Sequence, residues 1–250
     1  MYDLPSEDLE EPGLPDEFHL WQPRLLDETF CPPTYPLDDR FTASDLNLYY
    51  DSRHPQWYKR PDWFAAVGVP RLYAGRELRL SYVVWQEGIS PLIVVELLSP
   101  GTEKEDLGQT LRAVEQPPTK WQVYEQILRI PYYVVFDRHR DQWQVFVLQA
   151  DRYAELSASS SQVWIPSLEL GLGLWQGSYR GIERLWLRWY DGQHQWIPTA
   201  AEQSQQADQR AEQERQRAEQ EAQRAAQERQ RADRLAAKLR ELGIDPEQVR

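Results

Sequence analysis

Cysteine and histidine are scarce in this chain, and long hydrophobic runs are missing. Its 250 residues include one cysteine, Cys31, and four scattered histidines, His19, His54, His139 and His194. That supply excludes a disulfide framework, a Cys/His zinc module and a Cys–His pair of recognisable spacing. No window approaches the roughly 18 uncharged apolar residues of a membrane span. The opening residues, Met1 to Asp8, are acidic with no apolar stretch behind them, so no secretory signal is expected. The expected location is the cytoplasm. A basic stripe is also absent. Of the net charge of −12, residues 1–30 hold nine acids against Arg24, whereas residues 31–200 hold twenty acids and seventeen bases. A near-neutral central region counts against constitutive, avid nucleic-acid binding.

What the chain does have is aromatic bulk. With 11 Trp, 13 Tyr and 41% hydrophobic residues it can build one medium domain with a sizeable core, plus appendages. Residues 1–40 are rich in Pro, Asp and Glu without a sustained period, and read as a solvated acidic arm that packs little. From about residue 41 short strands are expected at Leu46–Tyr50, Trp63–Val69, Leu80–Trp85 and Leu92–Leu98. The last is continuously apolar apart from Glu96, the mark of a strand covered on both faces. Tyr132–Phe136 and Trp143–Leu148 read as a hairpin through Arg138–Gln142. Between the fourth and fifth strands lies a helical segment broken at Pro117-Pro118. Its second piece opens at Thr119, with Gln122 in capping-box position. Strand, helix, strand in that order predicts a parallel crossover in a mostly antiparallel sheet. Terminal strands are expected around Trp164 and Leu185, with a turn at Asp191-Gly192, and their tryptophans are expected to cover a sheet face.

The fold class is therefore α/β (α+β) with one core, over about 41–198. Residues 201–242 differ, being rich in Ala, Gln, Glu and Arg. Alanines at 211, 218, 225 and 232 and then Leu239 keep a seven-residue spacing. That period suits a left-handed coiled coil, but Glu214, Glu221 and Glu228 at the partner positions make a feeble seam. A dimeric coiled coil and a single exposed helix held by charge pairs both remain open.

Three polar residues stand where packing alone would not put them. An isolated carboxylate at Glu96 would cost several kcal/mol unless paired, protonated or bound to metal. Asp62, after Pro61, opens the strand at Trp63. Lys120 falls near the apolar side of a 120–129 helix, while Gln122, Glu125, Gln126 and Arg129 point away. A cation at a helix N-terminus opposes the macrodipole, so a neighbouring carboxylate must favour it there. Two acids and a lysine converging at a sheet end suit metal-assisted phosphodiester hydrolysis. The acids would hold Mg²⁺ (or Mn²⁺) and the lysine would orient water or offset charge on phosphate.

A resemblance gathers these residues. Arg60-Pro-Asp62-Trp-Phe-Ala-Ala-Val-Gly-Val-Pro, Ser81-Tyr-Val-Val-Trp-Gln-Glu-Gly, Ile93-Val-Val-Glu96-Leu-Leu-Ser-Pro-Gly-Thr, Asp106, Lys120-(x)3-Tyr124 and Ile130-Pro-Tyr-Tyr-Val-Val-Phe-Asp137 resemble the Uma-two family of restriction-endonuclease-like proteins. The match runs from about 40 to 195. It implies a PD-(D/E)XK nuclease fold: a restriction-endonuclease-like mixed central sheet flanked by helices, here with a long C-terminal helix. Asp62 then matches the first catalytic acid and Glu96 the second. The superfamily lysine would fall at position 98, which is Leu98; Lys120, from the next helix, matches the family's replacement. Asp106 matches a position that orients the loop after Glu96. Ser99 reads as a strand end in a supporting place. Arg129 stands where the family carries glycine.

The leading expectation is a Mg²⁺-dependent DNA endonuclease built on Asp62, Glu96 and Lys120, with no membrane partner. A homodimer through the nuclease domain or the C-terminal helix is left open. The competing reading is a non-catalytic nuclease-fold scaffold assembling through its tail. A further one turns the same chemistry on RNA or nucleotides.

Overall fold

A computed structural model describes residues 16–99, 103–110, 116–156 and 161–242. Residues 1–15 of the expected acidic arm, Pro100–Thr102 of the Glu96 motif, and part of the segment before Pro117 lie outside the described residues. The chain separates into two units at the Ile197–Pro198 junction.

In the first unit, helix α1 (Glu17–Thr29) precedes strands β1 (Arg40–Ala43), β2 (Leu48–Tyr49), β3 (Tyr58–Lys59), β4 (Trp63–Val67) and β5 (Tyr82–Val83). A single turn, α2 (Val84–Glu87), leads to β6 (Ile93–Leu97). Helices α3 (Glu103–Asp106) and α4 (Lys120–Gln122) follow, the latter running into a π turn, Val123–Ile127. The remaining strands are β7 (Tyr132–Asp137), β8 (Gln142–Gln149), β9 (Arg152–Glu155), β10 (Gln162–Ile165), β11 (Leu170–Tyr179) and β12 (Ile182–Tyr190).

The central sheet has six strands in the order β1-β4-β6-β7-β8-β9. Only the β6–β7 pairing in it is parallel, and the crossover between those strands carries α3 and α4, as the strand–helix–strand order predicts. A small sheet β3-β2-β5 and an antiparallel sheet β10-β11-β12 complete the mixed α+β architecture.

Both faces of the central sheet are covered, which is why Leu92–Leu98 reads as a continuous apolar run. Alternation along β6 sends Ile93, Val95 and Leu97 to one face, where they meet α1 and the β10-β11-β12 sheet. Val94 and Leu98 face the other way, toward the small sheet and the segment Val123–Leu128. The tryptophans of the third sheet do cover a sheet face: Trp186 and Trp189 are fully buried.

The expectation of an arm that packs little does not hold for residues 16–30. Asp16 caps α1, accepting from the Phe18 and His19 amides at 2.8 and 3.2 Å. Phe18, Gln22, Leu25, Leu26 and Thr29 recur at helical spacing and are all buried. Gln22 behaves as a substitute strand partner. Its amide donates to the Leu187 carbonyl and its oxygen accepts from the Leu187 N–H, each at 2.9 Å. The high acid content hid this helix because its acids lie on the outer face and at the cap.

In the second unit, α5 (Ala200–Glu241) is one continuous helix of 42 residues, about 63 Å long at 1.5 Å per residue. It opens on a reciprocal Thr199–Glu202 capping box. Local pairs such as Gln216 with Glu212 support it. No helix among the described residues is long and apolar enough to cross a membrane.

Replacing Leu25 by alanine tests whether α1 belongs to the core. A fully buried leucine deleted to alanine should lower unfolding free energy by about 2–5 kcal/mol. Urea denaturation followed by tryptophan fluorescence measures this, since every Trp lies in the first unit. An unchanged midpoint would return α1 to the status of a loose arm.

Candidate active site

Strand register brings the two acids together. Trp63 pairs with Val95 and Phe64 with Val94 in the antiparallel β4–β6 ladder, so one further step sets Asp62 opposite Glu96. Side chains alternate, and Phe64 and Val94 pack on the α4 side of the sheet. Asp62 and Glu96 therefore project to that same side. The Asp62 N–H donates to Glu96 Oε2 at 3.3 Å, and the Leu97 N–H donates to Asp62 Oδ2 at 2.6 Å.

Lys120 enters from the first turn of α4. The Thr119–Gln122 capping box fixes where that helix begins, and hence where the lysine points. Its Nζ lies 3.1 Å from Glu96 Oε2 and 2.9 Å from Asp106 Oδ1. Tyr124, one turn on, donates to Glu96 Oε1 at 2.9 Å. Tyr133 on β7 donates to the Asp106 carbonyl at 2.9 Å, anchoring α3 against the sheet. Asp62, Glu96, Asp106 and Lys120 thus form one group.

The electrostatics follow from burial and crowding. Burial is the main cause that pushes the Glu96 carboxyl up to about 8; Lys120 opposes the rise, while Asp62 and Asp106 add to it. Asp62 is raised for the same first reason, with Lys120, His19 and the Leu97 N–H pulling it down. Burial alone would lower the Lys120 ammonium, but Glu96, Asp106 and Asp62 together hold it well above its ordinary value. The Tyr124 hydroxyl is driven up by burial and by Glu96, so it remains a donor. One ammonium does not keep all of these neighbouring carboxyl groups easily ionised, and the raised Glu96 and Asp62 are the result.

The group opens into a cleft of about 720 Å³ lined by Asp62, Lys120, Leu97, Ser99, Arg24 and Arg60, together with residues of the α1 N-terminus. Another opening, of about 470 Å³ near Asp137 and Arg140, contains none of the four.

Ser99 lies in the same cleft but not in the carboxylate group; its Oγ is 3.2 Å from His19 Nε2. That histidine was hidden within the supposed arm. Its Nδ1 is 2.9 Å from Asp16 Oδ1 and its Nε2 is 3.3 Å from the Leu97 carbonyl. Asp16 is in turn ion-paired with Arg138. The available signal was an Asp16–His19 spacing of three, which joins an N-cap to a side chain in the first turn.

One orientation on the site helix differs from expectation. Glu125 points inward, 3% exposed, accepting from the Tyr153 N–H at 2.9 Å and pairing with Arg152, whereas Ile127 is 43% exposed. The π turn is the cause. The Leu128 amide bonds to the Val123 carbonyl, five residues back, and the widened turn rotates everything after Tyr124 relative to a regular helix. Lys120 and Tyr124 precede the shift. Arg129 then takes a left-handed conformation, φ 52°, one that glycine adopts without steric cost.

Among the described residues no three His, Cys, Asp or Glu side chains are grouped to hold a metal ion. What the site offers a cation is the Asp62–Glu96 pair, both hard oxygen donors. That set fits Mg²⁺ or Mn²⁺, which bind through one or two carboxylates and complete their shell with water and phosphate.

Comparison with known proteins adds the following. A crystal structure of a putative nuclease belonging to DUF820 from Anabaena variabilis ATCC 29413 is similar at 14% identity, covering 63% of this chain and 77% of that one, with a TM-score of 0.41. No curated protein matches. The family model Uma2, described as putative restriction endonuclease, matches residues 1–183, a span that contains Asp62, Glu96, Asp106, Lys120 and the cleft around them. The chain belongs to the Uma2 family.

Proposed function

We propose that this chain is a Mg²⁺- or Mn²⁺-dependent endonuclease that hydrolyses phosphodiester bonds in DNA. The observation that carries the reading is the opposition of Asp62 and Glu96 across the β4–β6 ladder, with Lys120 from another element bound to Glu96. Asp62 and Glu96 would hold the ion. When bound, it polarises the scissile phosphate and lowers the pKa of a water. Tyr124 and the Leu97 N–H fix the carboxylates, so their geometry needs no rearrangement when substrate arrives. Lys120, tethered between Glu96 and Asp106, faces the cleft and offsets charge that builds on phosphate oxygens. Arg24 and Arg60 on the cleft wall suit flanking backbone phosphates. DNA is the substrate favoured by the family description.

Cleavage of supercoiled plasmid with Mg²⁺ or Mn²⁺ tests the proposal. Glu96→Gln and Asp62→Asn should each lower the rate at least about 100-fold, and calorimetry should show weaker Mn²⁺ binding by both. Plasmid cleavage by Glu96→Gln at the wild-type rate removes the reading.

The raised Glu96 carboxyl sets a pH dependence. Below about 8 the buried group holds its proton, and a metal must displace it. Mn²⁺ affinity should therefore climb as pH rises toward 8 and level off above it, with proton release at pH 7. Titrations in buffers of different ionisation enthalpy measure the released protons. In the metal-free protein the sign is opposite. A carboxyl raised by folding favours the native state at low pH, and that contribution is lost as pH climbs from about 4.5 to about 8.

Lys120→Met keeps the stem and removes the ammonium. Leaving the carboxylates uncompensated should destabilise the metal-free protein by about 3 kcal/mol at pH 8. At pH 5, where Glu96 is protonated, the loss should be smaller. Urea midpoints at the two pH values give the comparison, and Mg²⁺ should recover part of the loss at pH 8.

A further inference from the structure

His19 and Lys120 reach the same strand end from opposite sides of the central sheet. Lys120 comes from α4, on the face that carries Glu96 and Val94; His19 comes from α1, on the face that carries Val95 and Leu97. Both line the cleft beside Asp62. The neighbours of the imidazole set its orientation. A carboxylate oxygen of Asp16 stands at Nδ1 and the Leu97 carbonyl at Nε2, and both groups are acceptors only. Each ring nitrogen therefore faces an acceptor, and Nε2 is placed to donate at the cleft. Asp16 suits the acceptor role at Nδ1. Burial favours its neutral form, but hydrogen bonds and charge from His19, with help from Arg138, hold its carboxyl below the usual range.

The two bonds differ in quality. The one to Asp16 is short, charge-assisted and braced by the Asp16–Arg138 ion pair, so the ring is held in orientation. Those at Nε2 are long, 3.3 Å to Leu97 and 3.2 Å to the Ser99 hydroxyl, and an anionic oxygen would replace them at closer range. His19 is 9% exposed, so this donor is fixed in advance and little hydrated. That is the character of a group that recognises developing charge in a water-poor site.

We propose that His19 is a substrate-contacting residue of this site, donating from Nε2 to a non-bridging oxygen of the phosphate that enters between Asp62 and Lys120. The phosphate is then gripped at the end of β6 by one donor from each face of the sheet. Asp16 and Arg138 are positioning residues that act through the imidazole. This assignment rests on the nuclease reading above.

The test uses the full chain with supercoiled plasmid and Mn²⁺, comparing wild type, His19→Ala, His19→Gln and Glu96→Gln. His19→Ala should lower kcat/KM by about 10- to 100-fold with Mn²⁺ affinity in calorimetry within about twofold of wild type. His19→Gln, whose side-chain amide nitrogen sits near the place of Nε2, should recover much of the loss. A role confined to folding would instead lower the thermal midpoint of both His19 variants alike and leave turnover of the folded protein at the wild-type level. Fluorescence anisotropy with a fluorescein-labelled DNA duplex in Ca²⁺ gives a readout without turnover. Weaker binding by His19→Ala, recovered in His19→Gln, supports the assignment. If His19→Ala matches wild type in both cleavage and binding while Glu96→Gln is inactive, the assignment falls and the nuclease reading stands. If wild type neither cleaves nor binds the DNA, both fall.

Discussion

A fully buried carboxylate in the middle of the central sheet must be compensated, and most of the surrounding structure serves that need. Glu96 occupies a strand whose other members are all apolar, where an unpaired charge would be prohibitive. Its compensation comes from Lys120 across the crossover, from the Tyr124 hydroxyl one helical turn on, and from the Asp62 backbone on the neighbouring strand. Each partner belongs to a different level of organisation: a capped helix start, a helical repeat, an antiparallel register. Loss of any one exposes the others to a charge they cannot balance. Sheet, crossover helix and neighbouring strand are coupled at this residue.

The compensation is also incomplete, and the shortfall carries the functional argument. Lys120 is shared with Asp106, so one ammonium serves several carboxyl groups and the Glu96 carboxyl is pushed up to about 8. A site of this kind stores a demand for positive charge that a divalent ion and the cations of the cleft wall can meet in stages. The family to which the chain belongs gives that demand a natural object in a nucleic-acid backbone.

Much of this was legible in the sequence because the signals were local or periodic. Glu96 stood out as one charge in an apolar strand, Lys120 as a cation placed against the macrodipole, and the Thr119–Gln122 box marked where its helix starts. The parallel crossover followed from element order. Two features were not legible, for physical reasons. The π turn brings Glu125 against the Tyr153 amide across the fold, a contact no helical wheel contains. Helix α1 was concealed because acidic composition says nothing about which face the acids occupy; its buried face is read only by the strand that receives it.

That receiving strand has a consequence for timing. Helix α1 is seated through Gln22 on the backbone of Leu187, near the far end of the first unit in chain order. On a ribosome the segment bearing Asp16 and His19 emerges first, yet its docking surface is made last. A nascent chain holding every acid and the lysine would still lack one wall of its cleft. Full assembly of the centre is deferred until synthesis has passed the final sheet.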